Sequence, residues 1–418
     1  MARQVVVLGA GIVGVSAALE LLDRGYDVTL MDRKFPGEET SYGNAGVWTR
    51  SSLVPINNPT LWKNLPKYVS NRTTALRYYL PFLMRNLNWT FRFLMNARQS
   101  KVLETAAALD QLISLSMQEH MRLLAASGEQ QRLSEKGWMF LYRNQSGFEA
   151  SQFARDIFDH FELDTEILNA DQISDLEPSL NRIFIAATWI KDAKSIDNPG
   201  ALVAGYGKLF LAKGGKFVQK TVQSLSPLST TSGGWKVIAD GGDSFVSDDL
   251  VVALGPWTPH ILKTIGIDVP MGYERGYHMH FRSANGGHLQ RPICDASGGY
   301  VLAPMEQGFR LTTGVELDAC DAPGKLNQFE QAVSSAKEAF PLSGPVENSP
   351  WMGRRPTLPD SRPIIGAAPK RKGLWLAFGH QHVGFCTGPG TARVLADLMT
   401  GQSPPIDAKP FCAERYLR

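Results

Sequence analysis

The sequence predicts an α/β fold in which a domain built on a parallel sheet is interleaved with a second, α+β domain that contains a mixed sheet. Three observations predict it. A strand, a glycine-rich turn, a helix and a second strand follow one another in residues 5–32. A continuous apolar run typical of buried parallel strands occupies residues 249–255 in the middle of the chain. Another strand, followed by a helix, begins near residue 373.

The first of these units carries the strongest signal for function. Its first strand leads into the motif Gly9-x-Gly11-x-x-Gly14, and its second strand ends at Asp32, 18 residues after Gly14. Gly9 permits a tight turn, Gly11 lets a pyrophosphate approach the backbone, and Gly14 lets helix and strand pack closely. The helix N-terminus offers free N–H groups to the phosphates, and Asp32 is placed to accept a hydrogen bond from a ribose hydroxyl. This order of elements predicts a dinucleotide-binding site.

The elements between these units alternate in a way that separates the two domains. Helical periodicity covers residues 105–127 and 151–161, and residues 137–142 have the composition of a strand. Asn198 before Pro199 is a typical helix start and predicts a helix that ends at the glycines after residue 213. Strands or β-rich stretches are expected over residues 216–225, 235–245, 271–282, 299–315 and 373–378, and a helix over residues 392–399.

Composition and length narrow the class of protein. A chain of 418 residues, 43% of them hydrophobic, is long enough for two or three domains with sizeable cores. Arg3 before an apolar run resembles a secretion signal, but Glu20, Asp23 and Arg24 interrupt the run early and no small-residue cleavage site follows. The four cysteines have no metal-binding spacing, and no stretch is apolar enough to span a membrane. We therefore expect a cytoplasmic protein with reduced cysteines and no metal site.

Charge is distributed unevenly along the chain. Between Glu39 and Glu104 there is no acidic residue. The same stretch contains nine basic residues. Because the net charge of the whole chain is +3, the rest of the chain has a net charge of −6. These basic residues are Arg50, Lys63, Lys67, Arg72, Arg77, Arg85, Arg92, Arg98 and Lys101.

Within this stretch, residues 76–96 are predicted to form one amphipathic helix with Pro81 in its first turn. Its polar side contains Arg77, Arg85, Asn88, Arg92 and Asn96. Its apolar side contains Tyr79, Phe82, Leu83, Leu87, Phe91, Leu94 and Met95. Such a helix either lies on an anionic membrane surface, here the inner face of the plasma membrane, or packs internally with its aromatic side in a core. Nucleic acid is a poorer explanation, because nothing in the chain is similar to a DNA- or RNA-reading module.

The C-terminal part of the chain identifies a family resemblance. Residues 251–257 (Val-Val-Ala-Leu-Gly-Pro-Trp), residues 359–366 (Pro-Asp-Ser-Arg-Pro-Ile-Ile-Gly) and the following Gly379-His380 accompany the N-terminal glycine motif. Together they resemble the FAD-dependent amino-acid oxidoreductases, which include D-amino acid oxidase, glycine oxidase, sarcosine oxidase and bacterial D-amino acid dehydrogenases. Residues 41–46 (Ser-Tyr-Gly-Asn-Ala-Gly) and the basic stretch after them look most like the dehydrogenase branch.

The resemblance covers nearly the whole chain and implies its domain organisation. A Rossmann-like FAD-binding domain would comprise residues 1–60, 195–265 and 358–418. It would be interleaved with a mixed-sheet α+β substrate domain of residues 61–194 and 266–357, which includes the basic aromatic segment 61–101.

The resemblance also implies where FAD lies. Its pyrophosphate would contact the glycine turn with Ile12 and Val13, and its adenosine would contact Asp32, Arg33 and Val222. Ser41, Asn44, Ala45 and Gly46 would lie near the ribityl chain and flavin, flanked by Ala253, Gly255 and Trp257. A helix N-terminus at Gly379, His380, Gln381, His382, Val383 and Gly384 would approach the flavin N1–C2=O edge. No cysteine lies in residues 355–358, where sarcosine oxidases carry their flavin link, so non-covalent FAD is expected.

The substrate site follows from the same resemblance. Arg355, directly before Pro356, matches the arginine that grips the substrate carboxylate, which a guanidinium can do with two parallel hydrogen bonds. Tyr277 would add a hydroxyl to this grip. His278 lies on the same strand, where a histidine is often only a packing residue, and no base is needed if the substrate amine loses its proton before hydride transfer.

These residues imply oxidation of the Cα–N bond of a small amino acid by hydride transfer to flavin N5. The resemblance favours a D-amino acid as this substrate. The products would be a 2-oxo acid and ammonia, with electrons passed to a membrane quinone. The alternatives are D-proline or D-hydroxyproline dehydrogenation, glycine or sarcosine oxidation, and a 2-hydroxy acid substrate. A different class is a non-catalytic flavin electron-relay subunit.

Overall fold

The structure is a computed structural model that describes residues 2–64, 71, 73–229 and 233–417. The strands are β1 (Gln4–Leu8), β2 (Asp27–Asp32), β3 (Val47–Trp48), β4 (Leu76–Tyr78), β5 (Leu133–Ser134), β6 (Trp138–Tyr142), β7 (Thr165–Asn169), β8 (Ala186–Ile190), β9 (Lys194–Ile196), β10 (Lys216–Gln219), β11 (Val222–Pro227), β12 (Trp235–Ala239), β13 (Ser244–Ser247), β14 (Asp249–Val252), β15 (Gly272–Ser283), β16 (Ile293–Asp295), β17 (Tyr300–Met305), β18 (Gly308–Thr313), β19 (Val315–Leu317), β20 (Leu342–Pro345), β21 (Trp351–Thr357), β22 (Ile364–Ala367) and β23 (Leu374–Phe378).

Twelve α-helices accompany these strands in the described residues. They are α1 (Ile12–Asp23), α2 (Thr60–Lys63), α3 (Leu80–Arg85), α4 (Leu87–Met95), α5 (Gln99–Ser127), α6 (Gln145–Ala150), α7 (Gln152–His160), α8 (Ala170–Leu176), α9 (Pro199–Ala212), α10 (Thr258–Lys263), α11 (Asn327–Ala339) and α12 (Gly384–Met399). In the part of the chain that the structure describes, no helix is both long and apolar enough to cross a bilayer.

A six-stranded sheet of order β10-β2-β1-β14-β23-β22 holds the predicted glycine turn. All of its pairings are parallel except that between β22 and β23. Its central strands are apolar runs that are buried on both faces, as parallel strands covered by helices require. On one side, α1 packs against α9 and α12. The α/β fold class and the strand–turn–helix–strand unit at the N-terminus are confirmed.

A mixed sheet of eleven strands lies beside the first. Its main path is β4-β19-β15-β18-β17-β16-β6-β8-β7, and β20 and β21 also pair with β15. The long strand β15 pairs antiparallel with β21 over seven residues, from Gly272 opposite Thr357 to His278 opposite Trp351. This pairing fixes which side chains of the two strands share a face, and one of those faces borders the candidate site.

Several local predictions hold and one strand prediction needs correction. Asn198 caps α9 by accepting a hydrogen bond from the Ala201 N–H at 3.0 Å, with Pro199 at the first helical position. The expected strand over residues 216–225 is instead two strands in different sheets. β10 pairs with β2, whereas β11 belongs to a small antiparallel sheet with β12 and β13.

The prediction of one amphipathic helix over residues 76–96 is wrong. Residues 76–78 form β4, which pairs parallel with β19, because a sheet edge that comes later in the chain recruits them. Two short helices follow, and they meet at Asn86, whose backbone leaves helical geometry at φ −117° and ψ 40°. Pro81 does lie in the first turn of α3, as expected. Of the nine basic residues in the acid-free stretch, Lys67 and Arg72 lie outside the described residues.

The two faces of these short helices also differ from the prediction. Phe82, Trp89 and Phe93 point inward and form a buried cluster with residues of β19. Leu80, Met84, Leu87 and Phe91 are exposed and repeat at intervals of four and three residues along the outside. The predicted apolar side is therefore divided: Phe82 is core, whereas Leu87 and Phe91 belong to an apolar stripe that faces solvent.

Candidate active site

A cavity of about 970 Å³ lies between the two sheets. It extends from the carboxyl ends of β1, β2 and β14 to the face of β15 and β21. Most of the predicted site residues line it: Gly9, Gly11, Ile12, Val13, Asp32, Arg33, Ser41, Asn44, Ala45, Val222, Ala253, Gly255, Trp257, Tyr277, His278, Arg355, His380, Gln381, His382 and Gly384. Four predicted residues do not line it: Gly14, Gly46, Gly379 and Val383.

The glycine turn is built so that no side chain fits. Gly9 has φ +106°, and a Cβ there would lie 2.4 Å from the carbonyl oxygen of Ala253. A Cβ on Gly14 would lie 1.8 Å from the carbonyl oxygen of Gly9. Helix α1 begins directly after this turn, so the N–H groups of its first turn lack intrahelical partners. This cradle fits a pyrophosphate.

Asp32 lies at the end of β2, beside this turn. Its carboxylate accepts hydrogen bonds from the backbone N–H groups of Ala10 at 2.6 Å and Lys34 at 3.1 Å. Burial raises the pKa of Asp32, and these two hydrogen bonds oppose the rise. The guanidinium of Arg33 lies 4.1 Å from the ring centroid of Trp257. An acid, a cation and an aromatic ring at one end of the cavity fit the ribose and adenine of FAD.

Arg355 occupies the other end of the cavity. A Cβ on Gly276 would lie 2.7 Å from its Nη2 atom, so a side chain at this position of β15 would displace the guanidinium. Among the residues that the structure describes, none forms a hydrogen bond or ion pair with it. Burial lowers the pKa of Arg355, an effect that Glu274 opposes. An arginine stays charged in proteins, so its donors are available to a carboxylate that enters the cavity.

Tyr277 does not join Arg355, which corrects the sequence-based expectation. Side chains alternate between the faces of a strand, so Tyr277 points away from the face shared by Gly276 and Arg355. Its hydroxyl donates to Glu316 Oε1 at 2.9 Å and accepts from the backbone N–H of Lys325 at 2.8 Å. Arg354 also lies on this other face, where its Nε donates to the carbonyl oxygen of Cys320 at 2.6 Å.

The histidines of the site are neutral. The ring of His278 stacks on Trp351 with centroids 4.9 Å apart, and burial lowers its pKa to about 2. Burial also lowers the pKa of His380 to about 3 and of His382 to about 4. None of these side chains is protonated near neutral pH, so none is a ready general acid.

Sequence reasoning missed two buried charged residues near the site, Glu274 and Arg310. Glu274 lies opposite Arg355 on the paired strands, and burial raises its pKa to about 7. Arg310 on β18 is buried and binds backbone carbonyl groups of the loop at residues 42–44. Each of them is a charged residue inside a β-rich stretch of the sequence. A buried charge needs a partner, so such a residue is a signal that could have been followed.

Comparison with known proteins shows the family of the chain. The family model described as "FAD dependent oxidoreductase" (DAO) matches residues 4–398. A D-amino-acid oxidase of Bradyrhizobium diazoefficiens is 30% identical over 424 residues, which cover 99% of each chain. A D-amino acid dehydrogenase of Rhizobium johnstonii is 28% identical over 99% of this chain and 100% of its own.

Solved structures show the same fold at lower identity. The structure of glycine oxidase from Geobacillus kaustophilus matches with a TM-score of 0.74 and 20% identity over 100% of both chains. That of L-proline dehydrogenase from P. horikoshii matches with a TM-score of 0.72 and 18% identity over 100% of this chain and 99% of its own. Because the family model matches nearly the whole chain, the chain belongs to the DAO family of FAD-dependent oxidoreductases.

Proposed function

We propose that this FAD-dependent amino-acid oxidoreductase is a dehydrogenase of small D-amino acids. It oxidises the Cα–N bond to an imine, which water hydrolyses to a 2-oxo acid and ammonia. The observation that carries the proposal is the unpaired Arg355 guanidinium over Gly276, at the end of the cavity opposite the glycine turn. The relatives named D-amino-acid oxidase and D-amino acid dehydrogenase, which match along the whole chain, support D-amino acids as the substrate class.

Arg355 performs the positioning step. Two parallel N–H groups of its guanidinium hold both carboxylate oxygens, which fixes the direction of the Cα–H bond as well as its position. Bound FAD supplies the acceptor for the hydride that leaves Cα. Lysine could not replace Arg355, because a single ammonium group does not fix the plane of the carboxylate.

The site contributes orientation rather than proton transfer. Among the described residues that line the cavity, the carboxylates are Asp32 and Glu39, both at the adenosine end. The histidines near Arg355 are held neutral by burial. The substrate amine therefore reacts after it has lost its proton to solvent, and we expect turnover to rise with pH until the amine is fully neutral.

The N-terminus of α12 contributes to electrostatics at the same end. Residues 380–382 line the cavity directly before this helix, which begins at Gly384. The positive end of its dipole favours negative charge on a group bound against it. If FAD binds here, residues 380–384 would lie against it, and this helix end would favour the negative charge that the cofactor gains with a hydride.

The test is anaerobic reduction of the bound flavin. A panel of D-, L- and cyclic amino acids, with glycine, sarcosine and 2-hydroxy acids, is mixed with the oxidised enzyme, and loss of flavin absorbance is followed. D-amino acids should bleach the flavin fastest. Faster bleaching by D-proline, glycine or sarcosine would favour those alternatives, and no bleaching by any of them would favour an electron-relay subunit.

We further propose that electrons leave to a quinone at an anionic membrane, and that α3 and α4 dock there. The described residues include thirteen large hydrophobic side chains that are exposed. Five of them lie in the stretch without acidic residues: Trp62, Leu80, Met84, Leu87 and Phe91. Phe91 is 64% exposed and Leu80 62%. We call Leu80, Met84, Leu87 and Phe91 the apolar stripe.

Charge complementarity selects the partner of the apolar stripe. Arg85 and Arg92 are exposed on the same two helices, and Arg98 follows them. No acidic residue occurs in the sequence between Glu39 and Glu104. Apolar side chains among cations fit the headgroup region of an anionic bilayer. Burial of the apolar side chains and attraction of the arginines to the lipid charges both favour binding there. The partner we propose is therefore the lipid surface of the inner face of the plasma membrane.

A further inference from the structure

Arg310 is a buried cation that binds the loop beside the cofactor site. Its Nη1 donates to the carbonyl oxygens of Tyr42 at 2.7 Å and Asn44 at 2.6 Å. Its Nε donates to Nε2 of His280 at 3.0 Å. All three acceptors are neutral, so none of them carries a charge opposite to that of Arg310.

The acceptor role of His280 fixes its protonation state. Arginine can only donate, so the Nε2 of His280 must carry a lone pair and its proton must sit on Nδ1. That Nδ1–H donates to the carboxylate of Glu347, which also accepts from the backbone N–H of His280 at 2.8 Å. Glu347 reaches the surface, whereas His280 and Arg310 are buried. A chain of hydrogen bonds thus runs from the surface to the loop.

Gly43 and Asn44 of this loop line the cavity. Ser41 accepts from the N–H of Ile12 at 2.9 Å, which fastens one end of the loop to the first turn of α1. Asn44 accepts from the N–H of Gly46 at 2.8 Å, which closes the other end. Between these points, Arg310 on β18 donates to the loop carbonyls of Tyr42 and Asn44. The ring of Tyr42 also packs against His278 of β15 and Trp351 of β21.

We propose that Glu347, His280 and Arg310 form a pH-sensitive tie that holds the loop at residues 42–44 in place and so retains FAD in the enzyme. A proton on Nε2 of His280 removes the acceptor of Arg310 and brings two cations into contact. The hydrogen bonds from Arg310 to the loop are then weakened, and FAD dissociates faster. This regulation rests on FAD binding, which family membership establishes, and not on which amino acid is oxidised.

The groups that face His280 set the direction of the pH response. Arg310 on β18 disfavours a proton on His280, while Glu347 favours one. The ring of His278, on the same strand as His280, lies with its centroid 5.6 Å from that of His280. The phenol of Tyr42 lies behind Arg310, with its ring centroid 5.3 Å from the guanidinium carbon. Burial is the largest effect and lowers the pKa of His280 below its usual range. The tie is therefore closed at neutral pH and opens in acid.

The test follows FAD release from the holoenzyme by the gain in flavin fluorescence after dilution, between about pH 8 and about pH 5. In the wild type, the release rate should rise about tenfold or more as the pH falls. His280→Gln keeps an amide oxygen for Arg310 and takes up no proton, so its release rate should not change with pH. Glu347→Gln keeps an acceptor for the Nδ1–H but lacks the charge, so its midpoint should shift to lower pH.

Two further variants complete the design. Arg310→Met removes the donors and should release FAD about tenfold faster at pH 8 than the wild type. His288→Gln changes an exposed histidine on the loop after β15 and should behave as the wild type. The proposal is overturned if His280→Gln keeps the wild-type pH response. It is also overturned if Glu347→Gln, which preserves the hydrogen bonds, leaves the midpoint where it was.

Discussion

Glu274 and Arg355 face each other across the paired strands β15 and β21, and their side chains share the face that borders the cavity. Glu274 is fully buried, and burial raises its pKa to about 7 despite the opposing charge of Arg355. Near neutral pH, the arginine that we assign to the substrate carboxylate thus has an ionisable partner behind it. When Glu274 is charged, it offsets part of the positive charge of Arg355, so Arg355 attracts a carboxylate ligand less strongly.

The first prediction follows from this pair. A carboxylate ligand such as benzoate, bound at Arg355, should raise the pKa of Glu274 further, so binding near pH 7 should take up a proton. Affinity should rise as the pH falls through about 7, by at most about tenfold per pH unit. Calorimetry in two buffers of different ionisation enthalpy measures the proton directly. Glu274→Gln should bind without proton uptake, and wild-type binding without uptake would contradict the coupling.

The second prediction concerns Arg355 and its neighbour. Arg355→Lys should keep FAD but slow anaerobic flavin reduction, because the loss of a buried bidentate pair costs about 2–5 kcal/mol, and about 1.4 kcal/mol is tenfold in rate. Arg354→Lys is the matched control, since Arg354 lies on the opposite face and donates to the backbone of Cys320. Stopped-flow absorbance gives both rates. Equal slowing in the two variants would show that the carboxylate is held elsewhere.

The third prediction tests the membrane surface. The protein should float with anionic liposomes at low salt and less at high salt, since each basic residue near such a surface contributes about 1 kcal/mol. Arg85→Glu with Arg92→Glu, or Leu87→Ser with Phe91→Ser, should abolish flotation while amino acids still reduce the flavin. Arg77 is not a useful target, because it donates to Gln331 Oε1 at 2.8 Å.

The control for flotation makes the same charge change elsewhere. Lys370→Glu with Lys372→Glu alters two exposed lysines in the turn between β22 and β23 and should leave flotation intact. If the wild type ignores anionic liposomes at low salt, and reduces oxygen as fast as a quinone, the membrane proposal fails.

The fourth prediction concerns the attachment of FAD. All four cysteines belong to the described part of the chain, and none of them lines the cavity. Acid precipitation should therefore release all of the flavin into the supernatant, where its absorbance is measured. Yellow protein in the washed pellet would contradict non-covalent binding.

The parts of the fold that depend on neighbouring residues were predictable from the sequence. The glycine turn, Asp32 at the end of β2 and the cap at Asn198 each follow from residues within a few positions of one another. The predicted helix over residues 76–96 failed because β4 forms only through its pairing with β19, far along the chain. A local apolar period cannot reveal such a pairing.

The candidate site was predictable to a similar depth. Short motifs point to Arg355 and to the loop at residues 41–46, and the structure places both at the cavity. The position of Tyr277 was not, since it depends on the register of β15 against β21. The roles of Glu274 and Arg310 depend on the same kind of pairing, so a single sequence carries no signal for them beyond an isolated charge.

The order of strands in the six-stranded sheet has a consequence for biosynthesis. β1 pairs with β14, and β14 pairs with β23, which ends at Phe378. During translation the glycine turn is made long before β23, so its sheet closes only after Phe378 has left the ribosome. Such long-range pairings form slowly and leave strand edges open to aggregation until they do. The cradle for FAD therefore rests on a complete sheet only after β23 has been made.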